Sequence, residues 1–197
     1  MYTYKIEQAI RAAAILHEDQ LRQGSLPIPY ISHLMAVALI IRDYTTDEDT
    51  LTAAFLHDTL EDTNYTYDEL KEDFGGNVAD IVQALTEPKT SGGEKLAWID
   101  RKRLYTKQLK HAPEAALIIA AADKSHNFRT TVEEYYEAPD RYIQDFGSHL
   151  DLRIEAYQNV ANVINSRLKS DIVHEFNHTF EEYKKFLAHV QKSLEKQ

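Results

Sequence analysis

Residues 55–63 read FLHDTLEDT, and they load a helix that begins as core, with Leu51, Ala54, Phe55 and Leu56, with His57, Asp58, Glu61 and Asp62. On a continuous helix, side chains four apart share a face, so His57 is expected to stack over Glu61 and Asp58 over Asp62. Three carboxylates and an imidazole then crowd together. Ionised and desolvated, such acids repel one another unless protons are taken up or a cation sits among them. The pattern asks for a metal.

Two other stretches set ligand chemistry in apolar surroundings. His33 lies in PYISHLMAVALII, and Asp123 follows the apolar run 115–122 in AALIIAAADKSHNFRT. A buried carboxylate needs a cation or several hydrogen bonds. Singly, His33 reads as a hydrogen-bonded core histidine and Asp123 as a salt-bridged acid. Together with His57 and Asp58, such packing readings require four coincidences on three helices. The 197 residues contain no cysteine, so disulfides and thiolate metal sites are excluded. Two imidazoles and two carboxylates form a hard N/O set that suits Mn²⁺, with Fe²⁺ or Co²⁺ as alternatives, better than structural zinc.

The elements that must position these residues are helical. Six glycines and five prolines punctuate the chain, and no stretch sustains the period-two alternation of strands. The expected helices run from 3 to 22, from His33 to about Tyr44 with Ser32 as cap, and from the acidic start DED at 47–49 through the motif. Thr66 and Glu69 form a capping box for a short helix ending at Gly75–Gly76, and Asn77 can cap the next one. EPKTSGGEK at 87–95 reads as a loop. Helices follow at about 94–111, 113–136, 148–168 and 171–195. No repeat or linker divides the chain, which is read as one all-α bundle, 1–168, with an extra C-terminal amphipathic helix, 169–197, packing on it.

A hydrophobic fraction of 43% with 27% charged residues is ordinary for a soluble globular protein. A formal net charge of −10 argues against a nucleic-acid backbone as main partner but permits a small anionic ligand that meets local positive charge. Arg22, Lys124, Arg129 and RKR at 101–103 could supply it, or could be solvated helix faces. The apolar run LMAVALII is too short to span a bilayer, and the start MYTYKIEQAI lacks a secretory layout. No membrane partner is expected, and the absence of cysteine fits the cytoplasm.

The order His33, His57-Asp58, Asp123 resembles the H…HD…D signature of the HD-domain metal-dependent phosphohydrolases. HDTLEDT, FGGNVADIVQALTEPK and ADKSHNFRT narrow the likeness to the hydrolase half of the RelA/SpoT alarmone enzymes, and more closely to the small stand-alone alarmone hydrolases. It covers about residues 10–135. The resemblance implies an all-helical domain holding one Mn²⁺ through His33, His57, Asp58 and Asp123. It implies Glu61 and Asp62 as the pair that activates water and supports the reacting phosphate, and hydrolysis of the 3′-pyrophosphate of guanosine tetra- or pentaphosphate. By the same likeness Arg22 packs near the base, and Tyr30, Asn127 and Thr130 lie in the nucleotide pocket. Independently of the likeness, Lys124 is expected from its place beside Asp123 to add charge for the substrate. Two departures concern the base side. Gln23 stands where the family has lysine, and the loop to His33 is lengthened by LPIP.

Other readings stay open at this point. The same site could serve another nucleotide, such as NADPH, or the chain could be a nucleotide-sensing module without turnover. HEFNH at 174–178 matches the HExxH zinc motif, yet the apolar seam Val173, Phe176, Phe180, Tyr183, Leu187, Val190, Leu194 leaves both histidines on the flank. That seam is expected to cover the domain's own core, with a homodimer surface as the alternative to a monomer.

Overall fold

Polar side chains decide where the helices of this chain start and stop, and the breaks they make hold the chemistry. The computed structural model describes residues 2–195. Among them, eleven helices and one two-stranded ribbon are formed. Helix α1 (Tyr4–Leu16) is capped by Thr3 and buries Ile6, Ala9 and Ala13 on one face. It stops at His17, not at residue 22. His17 Nδ1 and Gln20 Oε1 lie 2.8 Å apart, and Gln20 Nε2 donates to the Asp62 carbonyl at 2.8 Å. Bonds across the fold thus replace another helical turn, and Arg22 projects from a loop closed by a bridge between Leu21 and Pro29.

Helix α2 (Ile31–Arg42) starts from Tyr30, so Ser32 lies in its first turn and caps nothing. Asp47 caps α3 (Glu48–Leu56), in which residues 50–56 are all buried. The continuous helix expected through the motif is interrupted here. His57 Nδ1 lies 2.8 Å from the Ala54 carbonyl and Thr59 Oγ1 donates to Leu56 at 2.6 Å, so side chains take the last carbonyls of α3. The single turn α4 (Thr59–Asp62) follows. Neighbouring residues on an unbroken helix face about 100° apart. The interruption lets His57 and Asp58 converge.

The capping box of Thr66 and Glu69 opens α5 (Tyr67–Phe74), as the sequence indicates. Helix α6 (Gly76–Leu85) starts from Gly75 at φ 91°, not from an Asn77 cap; Asn77 instead donates to Asp49 at 2.7 Å. The expected 87–95 loop contains a hairpin, β1 (Thr90–Ser91) and β2 (Glu94–Lys95), turned by Gly92 and Gly93 at φ 58° and 86°. Two successive positive φ values are what a tight two-residue hairpin demands. Then come α7 (Trp98–Leu109), α8 (Glu114–Tyr135), α9 (Pro139–Phe146), α10 (Leu150–Arg167) and α11 (Ile172–Leu194). Helix α9 is an element the sequence pattern does not announce: eight residues that bury only Tyr142.

Helix α8 runs through the centre, with Ala116–Asp123 buried, and packs against α2, α3, α6 and α11. The seam of α11 lies along α8, so it covers this chain's own core. His174 and His178 are exposed, and Glu175 is bound by Tyr44 at 2.7 Å and Arg129 at 3.0 Å. HEFNH is therefore a structural stretch. Among the described residues no helix is long and apolar enough to cross a membrane.

Candidate metal centre and active site

Three breaks and turns of helix deliver the central cluster: the first turn of α2 brings His33, the α3–α4 interruption brings His57 and Asp58, and mid-α8 brings Asp123. Donor atoms of His33, His57 and Asp58 all lie within 4.8 Å of one another. Asp123 joins them through Oδ1, 3.3 Å from His33 Nε2 and 3.9 Å from His57 Nε2. His57 Nε2 is 3.2 Å from Asp58 Oδ2.

The donor set fits a divalent cation. His57 Nδ1 gives its proton to Ala54, so Nε2 presents a lone pair; it is buried, has no hydrogen-bond partner, and faces a carboxylate. Lone pair against anion is repulsive unless a positive centre lies between them. His33 Nδ1 lies 2.9 Å from His126 Nδ1, a contact in which either ring can donate, and its Nε2 is turned inward towards Asp123. Such partners behind a ligand fix its ring and tautomer. Burial pushes the Asp58 and Asp123 carboxyls upward, but the opposing charges win. Without a metal, positive charge on His57 and His33 is what would hold Asp58 below its ordinary value, a place a bound cation takes over when the rings are neutral; Lys124, 2.6 Å from Asp123 Oδ2, holds Asp123 well below. The same pair raises Lys124 well above the usual lysine range despite its burial.

Glu61 and Asp62 lie one turn beyond. Glu61 is half-buried, and desolvation pushes its carboxyl up to about 7, although the Glu87 amide donates to Oε2 at 3.0 Å and opposes that rise. A carboxyl poised near neutrality beside a metal-type cluster can act as a general base at working pH. Asp62 is exposed and pairs with Lys89 at 3.0 Å.

A cavity of about 720 Å³ opens over Tyr30, Lys124, His126 and Asn127, the residues that touch the cluster from behind. Arg22, Lys102 and Arg153 add positive charge to its lining, and Tyr142, Tyr157 and Tyr183 supply aromatic surface. Four basic side chains, Arg22, Lys102, Lys124 and Arg153, outnumber the two acids of the lining, Glu133 and Glu134, so an acidic protein places net positive charge around one concave site, as an anionic ligand requires.

A family profile described as "HD domain" matches residues 9–150. The chain belongs to the HD domain family. It is 39% identical, over 126 residues covering 63% of this chain and 68% of the relative, to guanosine-3′,5′-bis(diphosphate) 3′-pyrophosphohydrolase MESH1 of Xenopus tropicalis. The human protein of that name is 36% identical over 144 residues, covering 66% of this chain and 78% of the relative. Among solved structures, a metazoan orthologue of SpoT that hydrolyses ppGpp superposes with a TM-score of 0.78 at 25% identity, over 92% of this chain and 97% of the other. As a member of the HD domain family the chain is a metal-dependent phosphohydrolase, and its His/Asp cluster suits a divalent ion.

Within this HD domain the nucleotide-pocket candidates are brought together on one wall. Arg22 donates to Asn127 Oδ1 at 2.6 Å and stands 5.4 Å over the Tyr30 ring, and Asn127 in turn donates to Asp123. Tyr30 also donates to Asp58 Oδ2 at 2.7 Å, so its hydroxyl reaches the central cluster. Thr130 lines the cavity while its hydroxyl bonds backbone carbonyls of its own helix. Of the candidate cations, Arg22, Lys124 and Lys102 line the cavity and Arg101 is not among its lining residues; Arg129 is exposed and paired with Glu175, and Arg103 is paired with Asp100 and Glu155. Arg153, His126 and Glu87 carry no role in the sequence pattern, and Tyr157, which reads there as a packing residue, lines the cavity. His126 lies inside ADKSHN and Glu87 inside FGGNVADIVQALTEPK, but Arg153 and Tyr157 come from a segment without a local signature.

Proposed function

We propose that this chain is a Mn²⁺-dependent 3′-pyrophosphohydrolase of guanosine tetra- and pentaphosphate, yielding GDP or GTP and pyrophosphate, and that it acts as a monomer or homodimer in the cytoplasm. The observation that carries the reading is Glu61, with its carboxyl near neutrality, one turn beyond a His/His/Asp/Asp cluster whose partners Tyr30, Lys124, His126 and Asn127 line a cavity that also holds Arg22, Lys102 and Arg153. The activity named for the MESH1 relatives, and for the metazoan SpoT orthologue whose fold it shares, supports the substrate.

In this reading His33, His57, Asp58 and Asp123 hold the ion. When bound, the ion supplies Lewis-acid polarisation and offsets the charge that grows on the phosphate oxygens. The chain's own groups do the rest. Glu61 accepts the proton of the water that adds to phosphorus, and the ribose 3′ oxygen departs as its bond to phosphorus breaks, taking a proton from solvent to become the 3′ hydroxyl. Asp62, fixed by Lys89, stands beside Glu61 to orient that water. Arg22, held flat by Asn127 and Tyr30, packs on the base, with Asn127 and Thr130 near the sugar. Lys124, Lys102 and Arg153 offset the remaining phosphate charge.

The test is incubation of purified protein and Mn²⁺ with nucleotides phosphorylated at the 3′, 2′ and 5′ positions, NADPH included. Release of pyrophosphate from guanosine tetraphosphate ahead of all others is expected. Preferred release of phosphate from NADPH would reassign the substrate, and turnover of none would make the chain a sensing module.

A further inference from the structure

Between α6 and α7, the segment 87–89 touches both of the acids assigned to water activation. The Glu87 amide donates to Glu61 Oε2 at 3.0 Å, and the Lys89 ammonium reaches the Glu61 carbonyl and, at 3.0 Å, Asp62 Oδ1. Helix α7 anchors this segment. Gln108 Nε2 lies against the carbonyls of Gln83, Ala84 and Thr86 at 3.0, 2.9 and 3.0 Å, closing the end of α6. Lys102, also on α7, pairs with the Glu87 carboxylate, which is only 7% exposed.

Lys102 lines the cavity, 5.7 Å above the Trp98 ring. Its partner is therefore at once the residue whose amide orients Glu61 and a buried anion that competes with any incoming phosphate for the same ammonium. A merely structural ion pair at this depth would be better replaced by apolar side chains, because two charges lose hydration there. Its position between the cation-lined wall and the base gives the pair a use.

We infer that Glu87 is a positioning residue that joins the two halves of the site, holding Glu61 by its amide and restraining Lys102 by its carboxylate until an anionic nucleotide takes that ammonium over. This rests on the proposed function for the role of Glu61, but the exchange at Lys102 needs only an anionic ligand. Removing the Glu87 charge should then strengthen nucleotide binding, the opposite of what loss of a structural ion pair does.

The experiment is calorimetric titration of the Mn²⁺-loaded protein with GDP. Glu87→Gln keeps the size, the amide and an acceptor for Lys102. GDP should bind it roughly 3- to 10-fold more tightly than wild type near 50 mM salt, and the gain should shrink at 0.5 M salt as screening rises. Lys102→Met in the Glu87→Gln background should remove the gain. Glu87→Ala, with its fold checked by circular dichroism, should bind more tightly as well. Unchanged or weaker GDP binding in both Glu87 variants, or a gain that survives Lys102→Met, would overturn the inference. If wild type hydrolyses no guanosine tetraphosphate while Glu87→Gln still gains affinity through Lys102, the proposed function falls and this inference stands.

Discussion

Glu61→Gln should make the metal-free protein more stable at alkaline pH while disabling it as an enzyme. The folded carboxyl sits at about 7 against an ordinary 4.5, with burial as the leading cause. The folded state therefore holds the proton more tightly than the unfolded chain. Stability from this group is fully present below about 4.5 and is lost as pH rises through about 7. At 1.36 kcal/mol per pH unit, ionised Glu61 costs the fold about 3 kcal/mol at pH 8 and under about 1 kcal/mol at pH 5. Glutamine escapes that cost and can still accept the Glu87 amide. For a chain of this length the gain at pH 8 corresponds to a rise in Tm of about 6–12 °C. Thermal unfolding in chelator at pH 5 and pH 8 measures it directly. An equal or lower Tm for Glu61→Gln at pH 8, or a difference that does not grow with pH, would refute a desolvated Glu61.

With Mn²⁺ restored, the same variant should lose roughly 10²-fold or more in kcat while keeping about one metal per chain. Asp58→Asn should lose the metal, as elemental analysis after gel filtration would show. Chelation of wild type should abolish turnover and lower Tm, because the ion joins α2, the α3–α4 interruption and α8 in the folded state alone. Arg22→Ala should raise KM far more than it lowers kcat, since it removes binding common to ground and transition states. The kcat/KM of wild type should fall between 0.05 and about 0.3 M salt, where the Debye length shortens below ~10 Å, if Lys102, Lys124 and Arg153 draw the substrate in.

The chemistry of the site was legible in FLHDTLEDT and ADKSHN because residue type alone restricts it: acids and imidazoles in apolar helices need a partner. The geometry was not, because the arithmetic of faces assumes an unbroken helix. His57 and Thr59 spend their side chains on the carbonyls of Ala54 and Leu56, and that local exchange turns Asp58 toward His57 instead of over Asp62. Helix α1 ends early for a similar reason, since Gln20 bonds a carbonyl that is distant in sequence. The hairpin at Gly92–Gly93 lacks alternating flanks, so only its glycines hinted at it. Lys102, Arg153 and Tyr157 meet in one cavity through the packing of α7 and α10, a tertiary fact that no spacing along the chain encodes.

The most direct test is hydrolysis of guanosine tetraphosphate by the Mn²⁺-loaded protein in ¹⁸O-water, followed by ³¹P NMR and mass spectrometry of the products. Attack of water on phosphorus should yield GDP and pyrophosphate in equal amounts, with the label in pyrophosphate alone. Label in GDP, release of single phosphates, or no turnover would contradict a 3′-pyrophosphohydrolase built on Glu61 and the His/Asp cluster.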